Sequence, residues 1–147
     1  MVQGRRLNFT GEYRHTIDAK GRLIVPSRLR EEFTGDRVIL SRWMGNCIAM
    51  WSEEGWRKIA SALMEQGSAN PSARAFVRTM AASAHTDEID KQGRINVPGH
   101  LREYAGITRE CVVTGALDHG EIWSPERWHQ VEATAGDLDE LAATLNF

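Results

Sequence analysis

Arg22 and Arg94 are the side chains of this chain best suited to chemistry, because each follows directly on a glycine-closed turn: Asp18–Arg22 reads DAKGR and Asp90–Arg94 reads DKQGR. A guanidinium is planar, permanently charged and carries a rigid donor fork that matches phosphate and the guanine edge. Held at the tip of a short β-hairpin, it can enter a groove and donate two parallel hydrogen bonds to O6 and N7 of guanine, about 1 to 3 kcal/mol of discrimination. The aspartate four residues earlier permits two readings: it pins the turn through an ion pair and nothing more, or it orients the arginine for a ligand. Spacing alone favours the first. Lys20, Lys91, Arg14 and His15 are candidates for phosphate contacts, which fix register and supply affinity without sequence information.

Other chemistry finds little support in the sequence. It contains no GxSxG, P-loop or GxGxxG pattern, and its hydroxyl residues have no recognisable base partner. Cys47 and Cys111 lie far apart without a CxxC or a histidine at ligand spacing, so the expectation is two buried free thiols. His85, His100, His119 and His129 form no HxxxH pattern and are expected at the surface. We therefore expect no catalytic residue, no metal and no cofactor. The five tryptophans, Trp43, Trp51, Trp56, Trp123 and Trp128, could stack on single-stranded bases. Four of them recur at equivalent places in a repeat, which favours core packing.

That repeat organises the chain. IDAKGRLIVPSRLRE at 17–31 returns as IDKQGRINVPGHLRE at 89–103, 72 positions on, with eight of the fourteen residues from Asp18 identical. Trp51, Ser52 and Trp56 match Trp123, Ser124 and Trp128 at the same offset. In each copy the Asp-to-Gly turn leads into a short strand (RLIVP, RINVP) stopped by proline. A helix follows, SRLREEF closed by Gly35 in one copy and HLREYAG closed by Gly106 in the other. Next come a strand (RVILS, CVVT), a glycine-containing turn at 44–46 or 118–120, a second strand (CIAMW, EIW), and a helix capped by Ser52 or Ser124. Between the copies, Trp56, Ile59, Ala60, Leu63 and Met64 predict one amphipathic helix. Pro71 opens another with Ala73, Phe76, Val77, Met80, Ala81 and Ala84. Leu138, Leu141 and Leu145 predict a last amphipathic turn or two in an acidic tail.

A chain of 147 residues with 41% hydrophobic content can bury one shared core. It shows no apolar run long enough to span a bilayer and no signal-peptide core, so a cytoplasmic protein is expected. The net charge of −2 conceals an asymmetry: residues 1–30 hold seven cations against two acids, and 121–147 hold six acids against Arg127 alone. Charge blocks of this kind are usually solvated faces, so they indicate a nucleic-acid partner only weakly.

The paired DAKGRLIVPSRLRE and DKQGRINVPGHLREYAG segments, the NPSARAFVRTMA helix and the EIWSPERW close resemble the bacterial MraZ family from Gly11 to about Val131. The resemblance implies an α+β, mainly β fold: a pseudo-twofold double-psi or swapped-hairpin barrel of the SpoVT/AbrB type with connecting helices. It also implies a nucleoid-associated DNA-binding transcriptional regulator of the division and cell-wall gene cluster. Such a regulator, expected to act as a repressor, would form a ring of identical subunits, an octamer among the options, reading short G-rich direct repeats in double-stranded DNA. The family signature falls on Asp18 with Arg22 and on Asp90 with Arg94, which favours arginine at the DNA and aspartate as its orienting partner. Gln92 and His100 replace the Lys20 and Arg28 of the first copy, so the second copy is expected to hold phosphate less well. The expected layout is a first repeat at 11–60, a helical connector at 61–83, a second repeat at 84–132 and an acidic tail at 133–147, all in one compact domain. The competing classes are a protein-interaction module acting on a partner enzyme of the same operon, and an enzyme on a double-psi barrel.

Overall fold

The two repeats are interleaved strand by strand. The computed structural model describes residues 7–146; Arg5 and Arg6 lie outside the described residues. In chain order the first copy supplies β1 (Glu12–Thr16), β2 (Arg22–Ile24), α1 (Ser27–Arg30), β3 (Arg37–Trp43), β4 (Cys47–Trp51) and α2 (Glu53–Gln66), and α3 (Pro71–Ser83) connects onward. The second supplies β5 (His85–Glu88), β6 (Arg94–Asn96), α4 (Gly99–Ala105), β7 (Glu110–Gly115), β8 (Gly120–Trp123) and α5 (Pro125–Ala135), followed by α6 (Leu138–Ala142). Every strand of the six-stranded sheet, ordered β1-β7-β8-β4-β3-β5, is antiparallel to its neighbours. β1 of the first copy pairs with β7 of the second, and β5 of the second with β3 of the first. β2 and β6 form a separate two-stranded ribbon.

Register locates the pseudo-twofold axis. Leu23 faces Ile95 in the ribbon and Ala49 faces Glu121 in the sheet, and each of these pairs joins repeat-equivalent residues. The ribbon closes the sheet into a barrel-like body: Ile17 bridges Leu23 on one side, and the Asp90 N–H donates to Arg94 O on the other. This is the α+β, mainly β tandem-repeat architecture predicted from the sequence.

Between ribbon and sheet lies the main core, to which both copies contribute: Leu23, Val25, Leu29, Leu40, Ile48, Ile95, Val97, Leu101, Val113 and Ile122 are at most 1% exposed. The opposite sheet face carries Ile39, Ala49 and Trp51 beneath Trp56 and Ile59 of α2, and Cys47, Val112 and Trp123 beneath Trp128 and Val131 of α5. Covered on both faces, the central strands read as continuous apolar runs. The recurring tryptophans thus pack the body, Trp51 at 1% and Trp123 at 5% exposure. Both cysteines are free and buried, and burial pushes the thiols up, Cys111 to about 12. Ser52, Asn70 and Ser124 accept from the N–H three residues on, giving α2, α3 and α5 their N-caps at about 1 kcal/mol each.

Three local readings need correction. The helix expected over SRLREEF ends at Arg30, because Phe33 turns inward to pack edge-on against buried Phe9 at 5.2 Å, and Gly35 and Asp36 (φ 72° and 58°) reverse the chain into β3. The turn before β8 is reversed not by Gly120 but by Leu117 (φ 73°), held in place by paired hydrogen bonds of 2.9 Å with Phe9.

The third concerns His119, which is buried rather than exposed. Its ring stacks on Trp51 at 4.6 Å and meets Trp43 edge-on at 5.3 Å. Nδ1 lies 2.7 Å from Asp118 Oδ1 and Nε2 lies 2.8 Å from Glu121 Oε2. Two carboxylate acceptors require both ring nitrogens to donate, which only the imidazolium does. Burial works against that charge, but the hydrogen bonds to Glu121 and Asp118 outweigh it and raise the pKa above the ordinary value. A folded-state pKa above the unfolded one gives stabilisation fully present below about pH 6.5 and lost as pH rises through the raised value. Thermal unfolding should therefore show wild-type stability falling as pH rises above about 6.5, with the slope reduced in His119→Gln. Identical slopes in the two proteins would reject the clamp.

Candidate nucleic-acid interface

Each Asp–Arg turn is a closed hydrogen-bonded unit. Asp18 Oδ1 accepts from the backbone N–H of Lys20 and of Arg22, both at 2.9 Å, and Oδ2 accepts from Arg22 Nε at 3.0 Å. The second copy repeats this: Asp90 Oδ1 accepts from Gln92 N–H at 2.9 Å and Arg94 N–H at 2.8 Å, and Oδ2 from Arg94 Nε at 2.9 Å. The turns close through Gly21 N–H to Asp18 O and Gly93 N–H to Asp90 O, 2.9 Å each. The backbone N–H groups of Arg22 and Arg94, more than their side chains, hold the two carboxyls below the usual carboxylate range. The aspartate pins the turn and holds the guanidinium by Nε through the same carboxylate.

The ribbon then brings the two arginines together. Alternation sends Leu23 and Ile95 into the core and Arg22, Ile24, Arg94 and Asn96 to the outer face. Arg22 stands opposite Asn96 and Arg94 opposite Ile24, so the arginines are diagonal neighbours about 7 to 8 Å apart, related by the pseudo-twofold axis. Their side chains are 34% and 28% exposed. The copies are not identical: Arg94 Nη2 also donates to Gln92 Oε1 at 3.4 Å, whereas the terminal nitrogens of Arg22 have no hydrogen-bond partner among the described residues.

Two further arginines brace the ribbon, and the sequence reading missed them. Arg30 Nη2 donates to Val25 O and Arg102 Nε to Val97 O, both at 3.0 Å, and each guanidinium lies against the turn glycine of the other repeat, Gly93 and Gly21 respectively. Gly93 O and Gly21 O accept from Val25 and Val97 N–H at 2.8 Å. Each turn is therefore built partly by the other copy. The signal was available in the recurrence of these arginines at one repeat position, but among so many cations it read as surface charge.

The remaining candidates are distributed as follows. Lys20 and Lys91 are exposed at the two turn tips. Arg14 and His15 sit on β1, in the larger sheet rather than the ribbon, opposite Val112 and Cys111. Arg14 is 64% exposed beside Glu12 at 3.6 Å. Partial burial lowers the His15 pKa, so near neutral pH it offers a neutral N–H donor rather than a cation. Among the described residues no cluster of three or more His, Cys, Asp or Glu is arranged to hold a metal, and no helix is long and apolar enough to cross a membrane.

Known proteins place the chain. The family model described as MraZ protein matches residues 8–79 and again 80–145. A transcriptional regulator MraZ of Ligilactobacillus salivarius is 46% identical over 132 residues, 90% of each chain. Its counterpart in Lactiplantibacillus plantarum is 42% identical over 138 residues, 93% of this chain and 97% of its own, and that of Desulforamulus reducens is 42% identical over 93% and 96%. A solution structure of PHS018 from Pyrococcus horikoshii matches with a TM-score of 0.33 at 15% identity over 81% of this chain and 89% of its own, too weak a likeness to bear on the fold. With the family pattern matched twice and relatives alike along nearly their whole length, the chain belongs to the MraZ family.

Proposed function

We propose that the chain is a DNA-binding regulator of transcription, a repressor of the bacterial division and cell-wall gene cluster, working at the nucleoid in the cytoplasm. One observation carries the reading: Arg22 and Arg94 stand on one exposed ribbon face, each held through Nε by its own aspartate. The relatives named transcriptional regulators support a regulatory rather than a catalytic role. A ribbon of two strands is thin enough for the major groove, and a preoriented guanidinium loses little freedom on meeting guanine O6 and N7. Lys20 and Lys91 at the turn tips, with Arg14 on β1, supply phosphate contacts.

Short direct repeats spaced near one helical turn, about 10 bp, present equivalent guanines to successive subunits on one face of the duplex. A ring of identical subunits supplies such copies, and linkage among them multiplies modest single contacts. Anisotropy titration of the chain's own upstream DNA, intact or with its G-rich repeats scrambled, tests the reading across about 50 to 200 mM salt. Tighter binding to the intact DNA by about a thousandfold is expected, and equal affinity for both would overturn it. Light scattering should find an oligomer, and a fragment bearing one repeat should bind far more weakly than one bearing several. Indifference to repeat number would remove the avidity argument.

A further inference from the structure

We propose that α6 of one copy of this chain docks in the groove between α3, the end of β3 and α4 of the next copy, forming the seam of the assembly. The groove has two halves. One is aromatic: Trp43 meets Phe76 edge-on at 6.4 Å, and Tyr104 donates its hydroxyl proton to Trp43 O at 2.9 Å. The other is cationic: the Arg42 guanidinium sits 4.8 Å over the Tyr104 ring and lines the groove together with Arg78 and His100. Neither Arg42 nor Arg78 has a carboxylate within ion-pair distance among the described residues, and Arg42 Nε is buried without a hydrogen-bond partner. A surface that is aromatic along one side and has unanswered cations on the other calls for an amphipathic anionic segment.

The chain carries such a segment. Leu138 and Leu141, three apart on α6, share one side of the helix, and Leu145 follows beyond its end; the three are 78%, 46% and 62% exposed. Asp139 and Glu140 share that turn and have no cation within ion-pair distance among the described residues. Gly136, at φ 64° and ψ −131°, separates α6 from α5. Groove and leucines are different patches, so their contact is heterologous, the kind that repeats head to tail and closes into a ring when the rotation allows. Burying the leucines against the aromatics removes apolar area from water while the acids meet the unpaired guanidinium groups.

The proposal rests on the assembly put forward above, and its test separates the two. Light scattering on the full chain compares wild type with Leu138→Asp/Leu141→Asp at matched concentrations. Because both leucines are exposed, the variant should keep the wild-type far-ultraviolet circular dichroism spectrum while its apparent dissociation constant for assembly rises by about tenfold or more. Glu140→Arg should weaken assembly too, and adding Arg78→Glu to it should restore part of the loss. A wild type that assembles, alongside a double-leucine variant of unchanged size, overturns the docking and leaves the ring standing. A wild type that is monomeric throughout overturns both.

Discussion

Arg22→Ala is expected to erase the preference for G-rich repeats while leaving a folded protein of wild-type size. The expectation follows from what the side chain holds. Among the described residues its one side-chain hydrogen bond or ion pair is the exposed pair with Asp18, and exposed pairs contribute at most about 1 kcal/mol to stability. The turn keeps its shape without it, since Asp18 Oδ1 still accepts from the N–H groups of residues 20 and 22. What disappears is a guanidinium fixed at Nε, which on the proposed reading is worth about 1 to 3 kcal/mol per subunit at guanine and is multiplied across linked sites. Lys20→Ala should act differently. On the proposed reading it removes one phosphate contact, so it should weaken all duplexes about evenly and flatten the logarithmic salt dependence by about one unit. Arg94→Ala should fall between wild type and Arg22→Ala, because Gln92 both takes up an Arg94 terminal nitrogen and replaces the Lys20 cation. Anisotropy with intact and scrambled DNA measures all three. Intact discrimination in a folded Arg22→Ala protein would move the readout elsewhere on the surface.

The contrast between these residues shows what a sequence of this kind conveys. Local geometry was legible: Asp at the first position and Gly at the fourth specify a turn, and the arginine behind it had to stand at a ribbon end, as Arg22 and Arg94 do. The tryptophan repeat pointed to packing for a similar reason, since bulky aromatics at matching junctions fit a shared interior. Exchange between copies was not legible from the residues alone. Alternation says which face of β1 is buried but not that its partner is β7. Arg30 and Arg102 escaped for the same reason, as their acceptors and the glycines they cover become neighbours only after the copies interleave. His119 was misread because its surroundings, Trp43 and Trp51, come from the other repeat. In each case the missing term was a long-range pairing, and pattern carries no information about partners.

That interleaving gives the turn glycines unequal burdens, and Gly93→Ala should cost the fold about 2 to 4 kcal/mol. Gly93 has φ 81°, in the left-handed region, where a Cβ costs about 1 to 2 kcal/mol. A Cβ there would also run into the guanidinium of Arg30, the group that donates to Val25 O across the ribbon. Arg30 must swing aside and surrender a hydrogen bond worth about 1 to 2 kcal/mol at a half-buried carbonyl. Gly21 is the repeat equivalent at φ 83°, but its Cβ would stand 3.1 Å from Asn96 Oδ1 and 3.3 Å from Arg102 Nη2 and Val97 O, so small shifts suffice. Gly21→Ala should therefore cost less, chiefly the backbone strain. At about 2 to 4 °C per kcal/mol for a chain of this size, Gly93→Ala should melt several degrees below Gly21→Ala. A double-mutant cycle isolates the cause: in an Arg30→Ala background the guanidinium is gone, and the cost of Gly93→Ala should shrink to that of Gly21→Ala. If Gly93→Ala costs the same in both backgrounds, Arg30 does not brace the opposite turn, and the copies hold their arginines in place independently.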